Sequence, residues 1–145
     1  MIRCIDVSFA SEWDRETGDM RWAFVIKQGD KTIATMHNLI RAGDVDSADF
    51  TLDASPTVAA YRAIGIALAF LSAHGQNKSQ VRFYGKNVIA INVMNGRWKV
   101  KAGVQDYYSA RSLADKFEDV HFTWVDPQDK SDAEQLLAAP TTEVK

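Results

Sequence analysis

Residues 81–101 read VRFYGKNVIAINVMNGRWKVK, and the reading of this stretch decides the fold. Its first four residues have the composition of a short buried strand. Gly85-Lys86-Asn87 then turns the chain into a run whose apolar Val88, Ile91 and Met94 follow helical spacing. Asn95-Gly96 carries the signal that ends a helix. Arg97-Trp98-Lys99-Val100-Lys101 continues as a basic segment bearing an aromatic ring. One piece of chain thus offers a strand end, a helix start and a cationic surface, the combination on which open α/β sheets build their sites.

Upstream, residues 2–9 (IRCIDVSF) alternate apolar and polar side chains, which predicts a strand with Ile2, Cys4 and Val7 among its inward positions and Asp6 within it or near its end. A polar turn is expected over 10–20, a second strand over 21–28, a tight turn at Gly29-Asp30 and a third strand over 31–39, together an antiparallel meander. Residues 41–54 are acidic and irregular. Ser55-Pro56 supplies a helix cap and a proline at the first helical position, ahead of the apolar stripe Val58, Tyr61, Ile64, Leu68 and Leu71 that ends near Gly75. Downstream, 105–117 carries Tyr108, Leu113 and Phe117 on a helical pattern, and 120–125 reads as a strand broken by Asp126-Pro127. Ser131 and Glu134 have capping-box spacing ahead of Leu136 and Leu137. The last six residues are expected to fray, so the expected organisation is one domain over 1–139 and a flexible tail over 140–145.

Composition sets the outer limits. With 145 residues, 46% of them hydrophobic, the chain can bury roughly 70% of its unfolded surface in one domain. Its apolar runs are too short to span a bilayer and no basic-then-apolar leader opens it, so the expectation is a cytoplasmic protein without a membrane role. Cys4 is the sole cysteine, which excludes an internal disulfide and a cysteine-based zinc site and assigns it to the core of the first strand. His37, His74 and His121 are too scattered for a histidine metal site. Net charge is −2, unevenly spread: residues 81–101 hold five Lys/Arg and no acid, whereas 102–145 hold four bases against nine acids. The balance excludes a strong non-specific nucleic-acid binder but leaves a local basic stripe able to steer an anion.

The order of three strands, helix, strand, one or two helices, strand and helix resembles the ribonuclease H-like fold, in particular the ribonuclease H type 1 and reverse-transcriptase-like group. The central stretch is similar to that family's strand, Asp-Ser, short helix and NGxWKVK segment. IDVSF resembles its first-strand Asp-Gly-Ser, SPTVAAYRAIGIAL its Thr-Asn-Asn-x-Ala-Glu-Tyr helix, and WVDPQDKSDAEQLLA its closing Trp-Val-Pro-Arg segment. The resemblance implies an α/β fold with a mixed five-stranded sheet, three antiparallel strands then two further strands, flanked by helices.

It also implies a chemistry in which four carboxylates hold two Mg²⁺ ions that hydrolyse the RNA strand of an RNA–DNA hybrid. Carried onto this chain, the first carboxylate is Asp6 and the fourth is Glu134, while Ala60 and Lys86 occupy the second and third places and Asn87 that of the neighbouring serine. The family's histidine before the last helix has no counterpart between Val125 and Glu134. Mg²⁺ demands hard oxygen ligands and repels an ammonium roughly 4 Å away by about 8 kcal/mol at an effective dielectric of about 20. No Asp or Glu from 54 to 105 could replace the missing ligands. The expectation is therefore a degenerate site without a metal cofactor, in which Lys86 pairs with Asp6 and with Glu134 where an ion would sit.

Three functional classes follow. The first is a non-catalytic module that binds RNA, single-stranded nucleic acid or an RNA–DNA hybrid through Lys86, Asn87, Arg97, Trp98, Lys99 and Lys101. The second is a protein-interaction module or inhibitor that uses the fold as a scaffold for a protein partner, through its acidic helix or a sheet edge. The third is an active ribonuclease H with an altered metal site, which alone would require Mg²⁺. Each singled-out residue also has a plainer reading: Glu134 as a capping acid, Lys86 as a loop lysine, Trp98 as a cover for the helix end, and the three bases around it as a solvated face.

Overall fold

The computed structural model describes residues 4–14, 16–41, 56–101, 104–125 and 131–138. The expected acidic irregular segment, the Ser55 cap, Ile2, the Asp126-Pro127 break and the 140–145 tail lie outside the described residues. Five strands, β1 (Cys4–Trp13), β2 (Met20–Gln28), β3 (Lys31–Ile40), β4 (Gln80–Gly85) and β5 (Asp119–Trp124), combine with four helices, α1 (Pro56–Ala73), α2 (Val88–Met94), α3 (Val104–Ala114) and α4 (Asp132–Ala138). The strands form one mixed sheet in the order β3-β2-β1-β4-β5. The first three make the expected antiparallel meander, and β1–β4 and β4–β5 are parallel. Gly29, at φ 64°, lets the β2–β3 turn close, because a left-handed backbone costs glycine nothing.

Both faces of β2 are buried, which explains its nearly unbroken apolar run Trp22–Ala–Phe–Val–Ile26. Trp22, Phe24 and Ile26 join Ile5, Val7, Phe9, Val81 and Phe83 under α1, whose predicted stripe Val58, Tyr61, Ile64, Leu68 and Leu71 is buried throughout. On the opposite face, Ala10, Ala23 and Val25 receive Ala133 and Leu137 of α4. α3 lies against α1 where a Cβ on Gly65 would meet Ala110 at an ordinary 3.7 Å.

The differences from the sequence reading share a cause. The inward positions of β1 are Ile5, Val7 and Phe9, so Cys4 points outward and is exposed rather than in the core. A shift of one residue exchanges the two faces of a strand, and an alternation with polar Asp6 and Ser8 inside it does not settle the parity by itself. β1 also runs on to Trp13, through what reads as a polar turn, because Ser11 and Glu12 pair with Trp22 and Arg21. In α2, Val88 is exposed while Ala90, Ile91, Val93 and Met94 are buried. In α3, Tyr108 is exposed and the small Ala110 and Ala114 face the core.

Candidate functional site

In the parallel β1–β4 register Asp6 lies opposite Arg82 and Ser8 opposite Tyr84. Two residues further along, Ala10 and Lys86 line the same open pocket, of about 470 Å³, at the C-terminal ends of the two strands. α4 contributes Glu134, Gln135 and Leu137 to its wall, and β1 adds Glu12. Phe9 also lines it and explains the glycine at the end of β4: a Cβ on Gly85 would stand 2.5 Å from the Phe9 ring.

Across this pocket Lys86 Nζ lies 2.9 Å from Glu134 Oε1, with side chains 24% and 32% exposed. The same oxygen accepts the Ser131 amide at 3.0 Å, and the Glu134 amide donates to Ser131 Oγ at 3.1 Å. Glu134 is thus both the capping acid of α4 and the partner of Lys86, two readings that are compatible. Partial burial alone would raise its carboxyl, but the Ser131 amide, the Lys86 ammonium and the Ser131 hydroxyl outweigh burial and hold it below the usual glutamate value.

The pocket does not include the other expected acid. Asp6 stands opposite Arg82, four strand residues or about 13 Å short of the level of Lys86. Its carboxylate instead neighbours Tyr84, whose phenol is raised first by burial and then by the charge of Asp6 and a hydrogen bond to it. The expected Asp6–Lys86 pairing gives way to Lys86–Glu134, and the β1 position level with Lys86 is Ala10. Reading β1 as ending at Phe9 concealed this. The longer strand also carries Glu12 to the pocket, a residue missed in the sequence; its carboxylate is paired with Arg21 at 3.2 Å. The alternation of Ala10 and Glu12 beyond Phe9 was the available signal.

Ala60 lies one helical turn from Thr57 and is fully buried. Thr57 meets Asn87, whose Nδ2 donates to Thr57 Oγ1 at 3.2 Å and whose Oδ1 accepts the Ala90 amide at 2.9 Å as the cap of α2. Asn87 therefore ties α1 to α2 at the pocket edge. Among the described residues, those at this pocket do not fit a pair of Mg²⁺ ions: Ala10 and Ala60 carry no ligand, Glu134 is paired with Lys86 and Glu12 with Arg21. No group of three or more His, Cys, Asp or Glu placed to hold a metal ion occurs among the described residues.

The basic segment begins where α2 ends. Gly96, at φ 80°, reverses the chain, with the Arg97 amide bonded to Asn92 O at 2.9 Å. Val100 packs against the core while Arg97, Trp98, Lys99 and Lys101 are exposed, Trp98 by 50%. Anchoring one side chain turns its neighbours outward. Among the candidate binding residues, these four are exposed within one five-residue stretch, whereas Lys86 is turned into the pocket and Asn87 into the α1–α2 junction.

A sheet of this order, with α1 and α3 on one face and α4 on the other, defines the ribonuclease H-like fold, and the comparisons with known proteins agree. A family model described as reverse transcriptase-like matches residues 14–139, and the chain belongs to that family. Among solved structures it is similar to the N-terminal RNase H domain of Rv2228c from Mycobacterium tuberculosis, at 20% identity and a TM-score of 0.74 over 92% of this chain and 90% of that one. It is also similar to RNase H1 of the halophilic archaeon Halobacterium salinarum, at 20% identity and a TM-score of 0.67 over 86% of each chain. LC11-RNase H1, solved in complex with an RNA/DNA hybrid, aligns at 17% identity with a TM-score of 0.73 over 91% of this chain and 92% of that one. A comparison with curated proteins finds no match. No described helix is long and apolar enough to cross a membrane.

Proposed function

We propose that this chain is a ribonuclease H-like module of the cytoplasm that has lost two-metal hydrolysis and binds RNA or an RNA–DNA hybrid. The observation that carries the loss is the Lys86–Glu134 ion pair, flanked by Ala10 where β1 would supply an acid. An ammonium can neutralise a carboxylate as a metal does, but it neither activates water nor stabilises a leaving oxygen as a Lewis acid. Binding rests on the exposed Arg97, Trp98, Lys99 and Lys101, three cations around an indole on a stretch without acids. The cations suit backbone phosphates, and the indole suits a base or sugar face. A structurally similar protein, LC11-RNase H1, was solved with a hybrid, which makes the hybrid a natural first ligand to try.

The test is an electrophoretic mobility shift with single-stranded RNA, single-stranded DNA and a hybrid across a salt series. A salt-dependent shift that weakens when the basic segment is neutralised supports the reading. No shift with any of the three at low salt overturns it.

A further inference from the structure

α2 has a face that its packing does not use. Ala90, Ile91, Val93 and Met94 are buried, whereas Val88 and Ile89 are 46% and 47% exposed and share the remaining face with the partly buried Asn92. No residue of this helix is charged. Helix formation does not ask for branched aliphatic side chains toward solvent, where straight-chain and charged residues do better. Asn92 joins this face to the basic segment: its Nδ2 donates to Val88 O at 2.8 Å, its Oδ1 accepts Arg97 Nη1 at 3.4 Å, and its carbonyl accepts the Arg97 and Trp98 amides at 2.9 and 3.2 Å. Arg97 thus reaches back to α2, and Trp98 follows directly. At the other end of α2, toward the pocket, the cations are already engaged, Lys86 with Glu134 at 2.9 Å and Arg21 with Glu12 at 3.2 Å.

We infer, taking the basic segment as the nucleic-acid surface proposed above, that it selects a single strand over a duplex or a hybrid, with Val88, Ile89 and Trp98 as the floor for bases and Arg97, Lys99 and Lys101 as the phosphate contacts. A duplex turns its bases inward and offers two phosphate backbones. One cationic stretch serves one backbone. A second backbone laid across α2 would meet uncharged aliphatic side chains, losing hydration without gaining a charge. A single strand meets no such conflict, because its unpaired bases present apolar faces to the aliphatic pair and the indole while its phosphates turn to the three cations. Val88 and Ile89 are therefore specificity-determining residues: they add nothing to the attraction for phosphate and everything to the distinction between free and paired bases.

Fluorescence anisotropy of the full chain with three labelled probes across a salt series tests this: a short RNA without self-complementarity, the same RNA annealed to its complementary DNA, and a strand of the same length built of abasic riboses. The single strand should bind about tenfold or more tighter than the hybrid, and the abasic strand should lose a similar factor while keeping the salt slope, because it keeps the phosphates. A Val88→Ser/Ile89→Ser double variant, folded by circular dichroism, should bind the RNA several-fold more weakly and the abasic strand as wild type does. A hybrid bound as tightly as the single strand, still dependent on Arg97, Lys99 and Lys101, overturns the inference and leaves the nucleic-acid reading of the basic segment standing. So does an abasic strand bound as well as the RNA, or a double variant with unaltered RNA affinity. Binding to none of the probes at low salt overturns that reading, and the inference with it.

Discussion

Lys86 Nζ and Glu134 Oε1, from the end of β4 and the first turn of α4, lie 2.9 Å apart across a pocket that neither Ala10 nor Ala60 furnishes with a ligand. The pair joins two elements distant in sequence, and it makes Glu134 a structural partner of Lys86 as well as the cap of α4.

Removing either member should therefore cost stability, and the two losses should not add. Lys86→Met, Glu134→Gln and the double variant, compared by urea denaturation at neutral pH, should give a coupling of about 1 kcal/mol for this partly buried pair. Additive losses would mean that the contact contributes nothing.

The same pair fixes a pH dependence. Glu134 is depressed in the folded state, so its contribution is fully present above the unfolded value of about 4.3 and is lost as pH falls through the lower folded value. Wild type should lose more stability between pH 6 and acid than Glu134→Gln does; parallel profiles would contradict the assignment.

Asp6 should behave as a structural neighbour of Tyr84 and not as part of the pocket. Its charge and hydrogen bond help to raise the Tyr84 phenol, so Asp6→Asn should bring that phenol down in an ultraviolet titration. Nucleic-acid affinity should be unchanged. A drop in affinity comparable to that of the basic-segment variants would return Asp6 to the site.

For the basic segment, neutralising Arg97, Lys99 or Lys101 singly should weaken binding to every sequence and reduce the salt slope by about one unit each. Trp98→Ala should cost about 1–3 kcal/mol if a base stacks on the half-exposed indole. A triple Arg97/Lys99/Lys101 alanine variant with unaltered affinity would move the interface elsewhere.

Gly85→Ala tests the packing beneath the pocket. The added methyl would stand 2.5 Å from Phe9 Cζ, and that ring is held edge-on to Phe83 at 6.3 Å. Overpacking of this kind should cost about 1–3 kcal/mol. Phe9→Leu in the same chain should recover part of the loss, and a neutral Gly85→Ala would show that the ring moves freely.

How much of this was legible in the sequence depended on whether the signal was local. The α2 boundaries, the Ser131–Glu134 box and the α1 stripe are set by caps and 3.6-residue periodicity, and they match the structure residue for residue. The face of β1 and its length are set by pairing with β2 and β4, which no local pattern encodes; that is why Cys4 read as core, Asp6 as a pocket acid and Ser11-Glu12 as turn. Glu134 could be placed because a helix cap fixed its position. Ala10 could not, because its meaning comes only from standing level with Lys86.

If the Lys86–Glu134 ion pair stands in place of metal-dependent chemistry, as proposed, a denaturing-gel cleavage assay on a labelled RNA–DNA hybrid with the wild-type chain should leave the RNA strand intact, at background, in both Mg²⁺ and Mn²⁺. Divalent-dependent cleavage that disappears in Glu134→Gln would contradict it.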